Sequence, residues 1–471
     1  MTLSTVRIGA ADGALAKALA AIRSELGLSE EFPPQVEAEA AAAARSAALP
    51  GAELLDLPFL TIDPEGSMDL DQAMHLARIG DGYRVWYAIA DVPAFVAPGG
   101  AVDVEACRRG QTMYPPDGRI PLHPTVIGEN AASLLPDEVR GAFVWAFELD
   151  RDARVAALTL TRARVRSRAR WTYEQVQKAL DTGTAGESLV LLKEVGLKRE
   201  SLEQERGGAS LGRPDQEVRE ANGRYELVRR RPLPAEGWNA QVSLMTGMAA
   251  AKLMLDGGVG ILRTMPPPDE QSVDWFRRRA KALGRPWAEG LGYGAYLRTL
   301  DADDPKQLAI MHAAASLFRG AGYTAFDGEV PSDTEQAAVA APYAHATAPL
   351  RRLVDRFTLT VCEALANGRE IPGWARRALP GLPAIMAASD GLAGRLDRAA
   401  IGAVEAAVLS TRIGETFSAT VLALTNGGGS IQLDDLAVTA NCEGAMVAGD
   451  AVTVRLVTAD VATGTVLFRT A

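Results

Sequence analysis

The sequence predicts an α+β multidomain protein: a mostly antiparallel sheet packed with helices, followed by a small OB-type β-barrel. Three observations predict it. The chain has 471 residues, too many for one ordinary core. Strand-type segments fill the region from Leu54 to about Asp150, and helical periods take over from Tyr173. The last stretch, from about residue 412, returns to five short strand-type segments divided by turn residues.

Residues 10–26 read as an amphipathic helix ended by Gly27, and an Ala-rich helix is expected from Pro34 to Ala48 behind Pro33. Pro50–Gly51 breaks the chain. Residues 1–50 are thus a short helical segment, either a helix-turn-helix-like module or a cap on the β-rich region beyond it. DLPFLTI reads as a strand ending at Asp63. QAMHLARI and YRVWYAIA flank Gly80-Asp81-Gly82, a hairpin signal. Residues 143–149 and 154–166 continue the sheet. Helices are expected over 173–182, 187–195, 238–256, 269–283, 305–320, 349–366, 373–380 and 384–410. GETFSATVLAL, GSIQL, AVTANC, DAVTVRLV and TGTVLFRT are the five closing strands.

Composition narrows the function. Three cysteines, Cys107, Cys362 and Cys442, stand far apart, which argues against a disulfide framework and a cysteine zinc site and fits a reducing cytoplasm. Four scattered histidines do not suggest a zinc enzyme. No signal peptide opens the chain and no run of 18 apolar residues occurs, so a cytoplasmic protein with no membrane partner is expected. The net charge of −10 speaks weakly against nucleic acid, but a phosphate backbone feels local potential rather than the total. Locally, Arg162, Arg164, Arg166, Arg168 and Arg170 alternate. On a continuing strand all five share one face, as a track for RNA or as a solvated surface.

TIDPEGSMDLDQAM, residues 61–74, is the densest acidic stretch beside apolar runs. Asp63 ends a strand, Pro64–Ser67 is a turn, and Asp69 and Asp71 are read as opening the next strand on one face. Three carboxylates can then converge at a sheet edge, where hard oxygen ligands suit Mg²⁺ or Mn²⁺. A merely solvated acidic turn is the competing reading. The spacing fails for an EF-hand, whose glycine would fall at Met68. Further on, Pro349 suits the first turn of a helix running to Ala366. Arg351 would sit near its N-terminus, placed for phosphate or for an i,i+4 pair with Asp355.

FLTIDPEGSMDLDQA, YAIADVPAFVAPGGAVDVEACRRGQTMYPPDGRIPLHP, SLLPDEVR and YAHATAPLRRLVDRF, in this order, resemble the catalytic domain of the RNase II/RNase R family of 3′–5′ exoribonucleases. The resemblance runs from about Leu54 to Leu409, and the closing β segment fits the family's OB-type RNA-binding barrel. It implies a catalytic domain over 51–411 and a barrel over 412–471. The family's usual pair of N-terminal cold-shock domains has no counterpart in residues 1–50.

The resemblance also assigns roles. Asp63, Asp69 and Asp71 match three of four active-site aspartates, Asp71 being the catalytic one and all three metal-binding. The fourth position is Gln72, whose lack of charge is expected to lower divalent affinity. Arg351 and Arg352 match the basic pair that holds the scissile phosphate, with Arg351 also catalytic. Tyr114 matches a tyrosine that stacks on a nucleotide near the 3′ end. Asp397 aligns loosely with an acidic residue near the terminal ribose. The implied function is Mg²⁺-dependent, processive 3′–5′ hydrolysis of single-stranded RNA to nucleoside 5′-monophosphates, by a monomer with no protein partner. The rival is an RNA-binding protein on a degenerate scaffold, supported by Gln72.

Overall fold

The computed structural model describes residues 5–7, 12–47, 54–209, 215–221, 224–314, 317, 319–425, 427–434, 436 and 438–471. At its centre five strands, Leu54–Asp63, Gln72–Ile79, Gly82–Ala90, Val139–Leu149 and Val155–Thr172, close into a barrel. Strands adjacent in sequence pair antiparallel. Five is odd, so the closing pair must be parallel: Leu54–Asp63 runs alongside Val155–Thr172, with Asp63 opposite Thr172. The helix-packed, mostly antiparallel sheet is closed on itself, and closure removes its edges. The acidic stretch leaves the barrel at a strand end, not at a sheet edge.

The Gly80-Asp81-Gly82 hairpin forms as expected, with Ile79 opposite Gly82. A Cβ on Gly82 would lie 2.1 Å from the Leu149 carbonyl oxygen of the neighbouring strand, so only glycine fits.

Alternate strand residues feed two cores. Leu60, Met74, Leu76, Tyr87 and Trp145 pack with the helices Glu187–Arg206, Pro234–Gly257 and Leu353–Ala366. Ala73, Ala88, Ala90, Ala142 and Val144 join Val36 and Ala40 of the helix Pro34–Ser46. Leu15, Ala18 and Leu19 of the helix Asp12–Glu25 instead join the long helix Leu382–Leu409 and the terminal barrel. The two N-terminal helices thus belong to different cores.

The terminal barrel has the expected five strands: Thr416–Thr425, Gly428–Leu433, Thr439–Glu443, Ala451–Asp460 and Thr465–Thr470. It closes in the order first, second, third, fifth, fourth, with the third and fifth parallel. Short strands elsewhere escape the sequence reading. Val259–Thr264 pairs with Gly322–Asp327, and Asp215–Ala221 and Arg224–Arg230 form a hairpin beside Thr5–Arg7. Segments of six or seven residues carry too little periodicity to be assigned by pattern alone. Among the described residues no helix is long and apolar enough to cross a membrane.

Candidate active site

The strand after the acidic turn begins at Gln72, later than the sequence suggests. Leu70 explains the delay. Its N–H donates to Ser133 Oγ (3.0 Å) and its carbonyl accepts from Leu134 N (3.0 Å), so its backbone is satisfied outside the barrel. Asp69 and Asp71 therefore lie on the segment before the strand. Asp69 accepts hydrogen bonds from Tyr114 Oη (3.2 Å) and Arg119 Nη1 (3.1 Å). Asp71 is buried and accepts from the Leu350 N–H at 2.7 Å, while Arg351 Nε lies 3.5 Å from its other oxygen. Tyr114 and Arg351, far apart in sequence, are thus both brought to the acidic stretch.

Burial sets the charges. It pushes the Asp63 carboxyl up to about 7, with the charge of Asp69 adding to the effect and Arg170 and Arg351 opposing it. The same desolvation raises Asp71 well above the usual carboxylate range, against the pull of Arg351 and the Leu350 N–H. One oxygen of Asp63, Oδ2, is buried with no hydrogen-bond partner among the described residues.

Arg351 and Arg352 part company. The helix expected from Pro349 starts at Leu353. Thr112 N donates to the Arg351 carbonyl (2.9 Å) and Leu353 N to the Gly110 carbonyl (3.0 Å), which draws residues 351–353 out into strand-like pairing. Arg351 is left 46% exposed beside Asp71. Arg352 turns inward, and its Nη2 donates to Oδ1 of the fully buried Asp355 at 2.8 Å. Asp355, not paired with Arg351, also accepts the N–H groups of Thr347 (2.8 Å) and Ala348 (2.7 Å). It thereby fixes the turn that carries Leu350 and Arg351.

Gln72 is bound at both ends of its amide. Nε2 donates to the Thr347 carbonyl (2.6 Å) and Oε1 accepts from Tyr87 Oη (2.7 Å). It fastens the barrel to the same turn, with both amide atoms engaged in hydrogen bonds.

Other candidates lie elsewhere. Asp397 sits on the helix Leu382–Leu409, where burial raises its carboxyl, and no hydrogen bond or ion pair among the described residues ties it to the acidic stretch. On the same helix, Asp390 pairs with Arg263 at 3.1 Å and accepts from Gln111. The strand Val155–Thr172 does persist through the five alternating arginines, with Ala163, Val165 and Ser167 buried between them. Arg162 is spent on the buried Asp91 (2.7 Å) and Arg168 on Asp56. Sequence reasoning missed the roles of Arg119 and Tyr87, and read Asp355 only as an i,i+4 partner of Arg351. They lie within the quoted stretches, but only the fold shows what each of them touches.

Among the described residues no group of three or more His, Cys, Asp and Glu side chains is gathered to hold a metal as it stands. The unpartnered buried oxygen of Asp63 and the suppressed ionisation of Asp63 and Asp71 nevertheless fit a missing positive charge. Oxygen donors suit a hard divalent cation whose remaining ligands come from water and substrate.

The RNB domain pattern matches residues 52–366, the greater part of the chain. The chain belongs to the RNB domain family. After its RNB domain, residues 415–471 match the RNase II-type exonuclease C-terminal S1 domain. The chain is 28% identical over 323 residues to the probable exosome complex exonuclease RRP44 of Caenorhabditis elegans, covering 65% of this chain and 34% of that protein. It is 26% identical over 349 residues to Ribonuclease R of Chlamydia trachomatis, covering 71% of this chain and 50% of that protein. The matches thus span a third to a half of these relatives. In fold, the RNB protein is similar to Mycoplasma genitalium RNase R in complex with ribose methylated single-stranded RNA, with a TM-score of 0.86 at 18% identity, covering 97% of this chain and 78% of that one. It is also similar to yeast Ssd1, a pseudonuclease, with a TM-score of 0.68 at 16% identity, covering 84% of this chain and 51% of that one. Both architectural expectations, a helix-packed sheet domain and a terminal OB-type barrel, agree with this family.

Proposed function

We propose that this chain hydrolyses single-stranded RNA from the 3′ end, processively, to nucleoside 5′-monophosphates. The observation that carries the reading is the meeting of Asp71 with Leu350 N–H and Arg351. It sets a buried carboxylate against a half-exposed guanidinium that can grip a phosphate through two hydrogen bonds. Asp63, Asp69 and Asp71 would hold Mg²⁺, or Mn²⁺ in its place. The bound cation would supply charge that lowers the pKa of a water and steadies the leaving 3′ oxygen. Arg351 orients the scissile phosphate. Tyr114, 52% exposed and hydrogen-bonded to Asp69, offers its ring to a base near the 3′ end. Arg352 acts at one remove, by fixing Asp355 and the turn.

The test is incubation of the protein with uniformly labelled single-stranded RNA and Mg²⁺, with and without chelator. Mononucleotide release that the chelator stops is the expected result; endonucleolytic fragments would overturn it. A second reading, RNA binding without hydrolysis, is favoured by one observation, the uncharged amide of Gln72, hydrogen-bonded at both ends beside Asp71. Tight RNA binding with no cleavage under Mg²⁺ or Mn²⁺ would select it.

A further inference from the structure

A cavity of about 720 Å³ opens between the start of the strand Val155–Thr172 and the helices Glu187–Arg206 and Pro234–Gly257. This is the end of the strand remote from Asp63, which faces Thr172. The volume suits a small-molecule ligand. Its wall is aliphatic, with Leu158, Leu202, Met245 and Met248, and no aromatic side chain lines it.

Its charge is one-sided. Arg154, Arg199, Arg206 and Lys252 line it, against Glu205 alone among carboxylates. Glu205 is bound to Arg154 (2.7 Å), and Lys252 is bound to Asp256 (2.7 Å). Arg199 and Arg206 remain; the charges of Glu203 and Glu205 act on Arg206, but burial outweighs them and its pKa is lowered. Arg199 is 5% exposed. Its Nη1 donates to the Ala153 carbonyl (3.2 Å), but its Nε has no partner among the described residues. Arg206 has two such buried atoms, Nε and Nη2. Burial and the neighbouring cations Arg206 and Arg154 pull the Arg199 guanidinium down to about 10. Buried N–H donors without acceptors cost stability, and a buried cation costs more. An anion in the cavity would relieve both.

We propose that this cavity binds an amphipathic anion with an aliphatic chain, its carboxylate or phosphate monoester head on Arg199 and Arg206 and its chain on Leu158, Leu202, Met245 and Met248. The guanidinium fork matches both heads, and methionine adapts its shape to a flexible chain. The absence of an aromatic platform in the lining sets the cavity apart from a base-stacking site.

The experiment is calorimetric titration of the whole protein with dodecanoate and with dodecyl phosphate below their micelle-forming concentrations, beside dodecanol. One molecule per chain should bind saturably with one or both charged heads, and the better head names the source, a fatty acid or a phosphate monoester. Dodecanol should bind far more weakly. Arg206→Glu should weaken binding about tenfold or more, since a charge-assisted hydrogen bond is lost and a like charge gained. Met248→Asp, in the aliphatic wall of the cavity, should do the same and serves if Arg206→Glu does not fold. RNA affinity should not change in either variant. Three results would each overturn the proposal: no saturable binding of either anion, equal binding of dodecanol, or unchanged affinity in the folded variants. Displacement by an RNA oligonucleotide would also overturn it, making the cavity part of a nucleic-acid track.

Discussion

The backbone N–H of Leu350 donates to Oδ1 of Asp71 at 2.7 Å, across 279 residues of chain. Because this bond comes from the backbone, only proline at position 350 removes it outright. The orientation of Asp71 therefore depends on the turn, and the turn on Asp355 and Gln72.

Asp71→Asn should abolish hydrolysis and leave RNA affinity within a few-fold. An asparagine Oδ1 can still accept the Leu350 N–H, so the turn survives, but the charge beside Arg351 is gone. Turnover and RNA binding measured on the same preparation check this. Normal turnover would remove Asp71 from the chemistry.

Arg351→Ala and Arg352→Ala should fail differently. Loss of Arg351 removes the half-exposed guanidinium proposed to hold the phosphate, and turnover should fall about 10²–10³-fold with the fold intact. Loss of Arg352 leaves Asp355 buried without its cation, a change that costs about 3–5 kcal/mol. Denaturant unfolding of both variants, set against their rates, separates the two roles.

The Asp63 carboxyl, held at about 7, makes the site pH-sensitive. Below that pH a cation must displace a proton. The Mg²⁺ needed for half-maximal rate should then rise, by up to about tenfold per pH unit, and level off at alkaline pH. Metal-free stability has its own sign. The folded value lies above the unfolded 3.8, so the group favours folding in acid, and that contribution is lost as pH rises from about 4 through about 7. Asp63→Asn should flatten this part of the metal-free melting profile. An Mg²⁺ midpoint independent of pH would detach Asp63 from the cation.

Gln72→Asp is the variant for which charge and geometry disagree. Charge alone predicts tighter Mg²⁺ binding. Geometry predicts instead that the shorter carboxylate, one methylene back and with no N–H to donate, leaves the Thr347 carbonyl and Tyr87 Oη without their partner. The expected outcome is a loss of about 1–3 kcal/mol of stability with little change in the Mg²⁺ midpoint. A clearly lower midpoint would make position 72 a metal ligand after all.

Tyr114→Ala should change the length of the shortest RNA left undigested, because a ring beside Asp69 at the 3′ end sets what the site can still hold. High-resolution gels of the final products decide it. An identical ladder would exclude Tyr114 from the RNA path.

Much of the fold is legible in the sequence where the signal is local. Strand alternation, the Gly80-Asp81-Gly82 hairpin and the five closing strands depend on neighbours in the chain, and they appear where the residues suggest. The acidic stretch and Arg351 are legible as types, but their arrangement is not. Ser133 holds Leu70 outside the barrel, and Gly110 and Thr112 straighten the residues after Pro349. These are tertiary hydrogen bonds that override local propensity. Asp355 looks like a surface partner for Arg351 because i,i+4 spacing assumes a helix that begins earlier than it does. Gln72 looks like a weakened metal ligand because its partners, Tyr87 and the Thr347 carbonyl, carry no pattern.

The packing of Leu15, Ala18 and Leu19 against the helix Leu382–Leu409 has a consequence for synthesis. The helix Asp12–Glu25 leaves the ribosome long before its docking surface, and meets it only when that late helix has emerged. Until then its apolar face stays uncovered, a natural station for a chaperone. The acidic stretch is likewise made long before the turn at Leu350 that orients Asp71. A nascent chain thus carries the aspartates without the assembled site, and competence arrives only once the turn has been made, when most of the message for these residues has already been read.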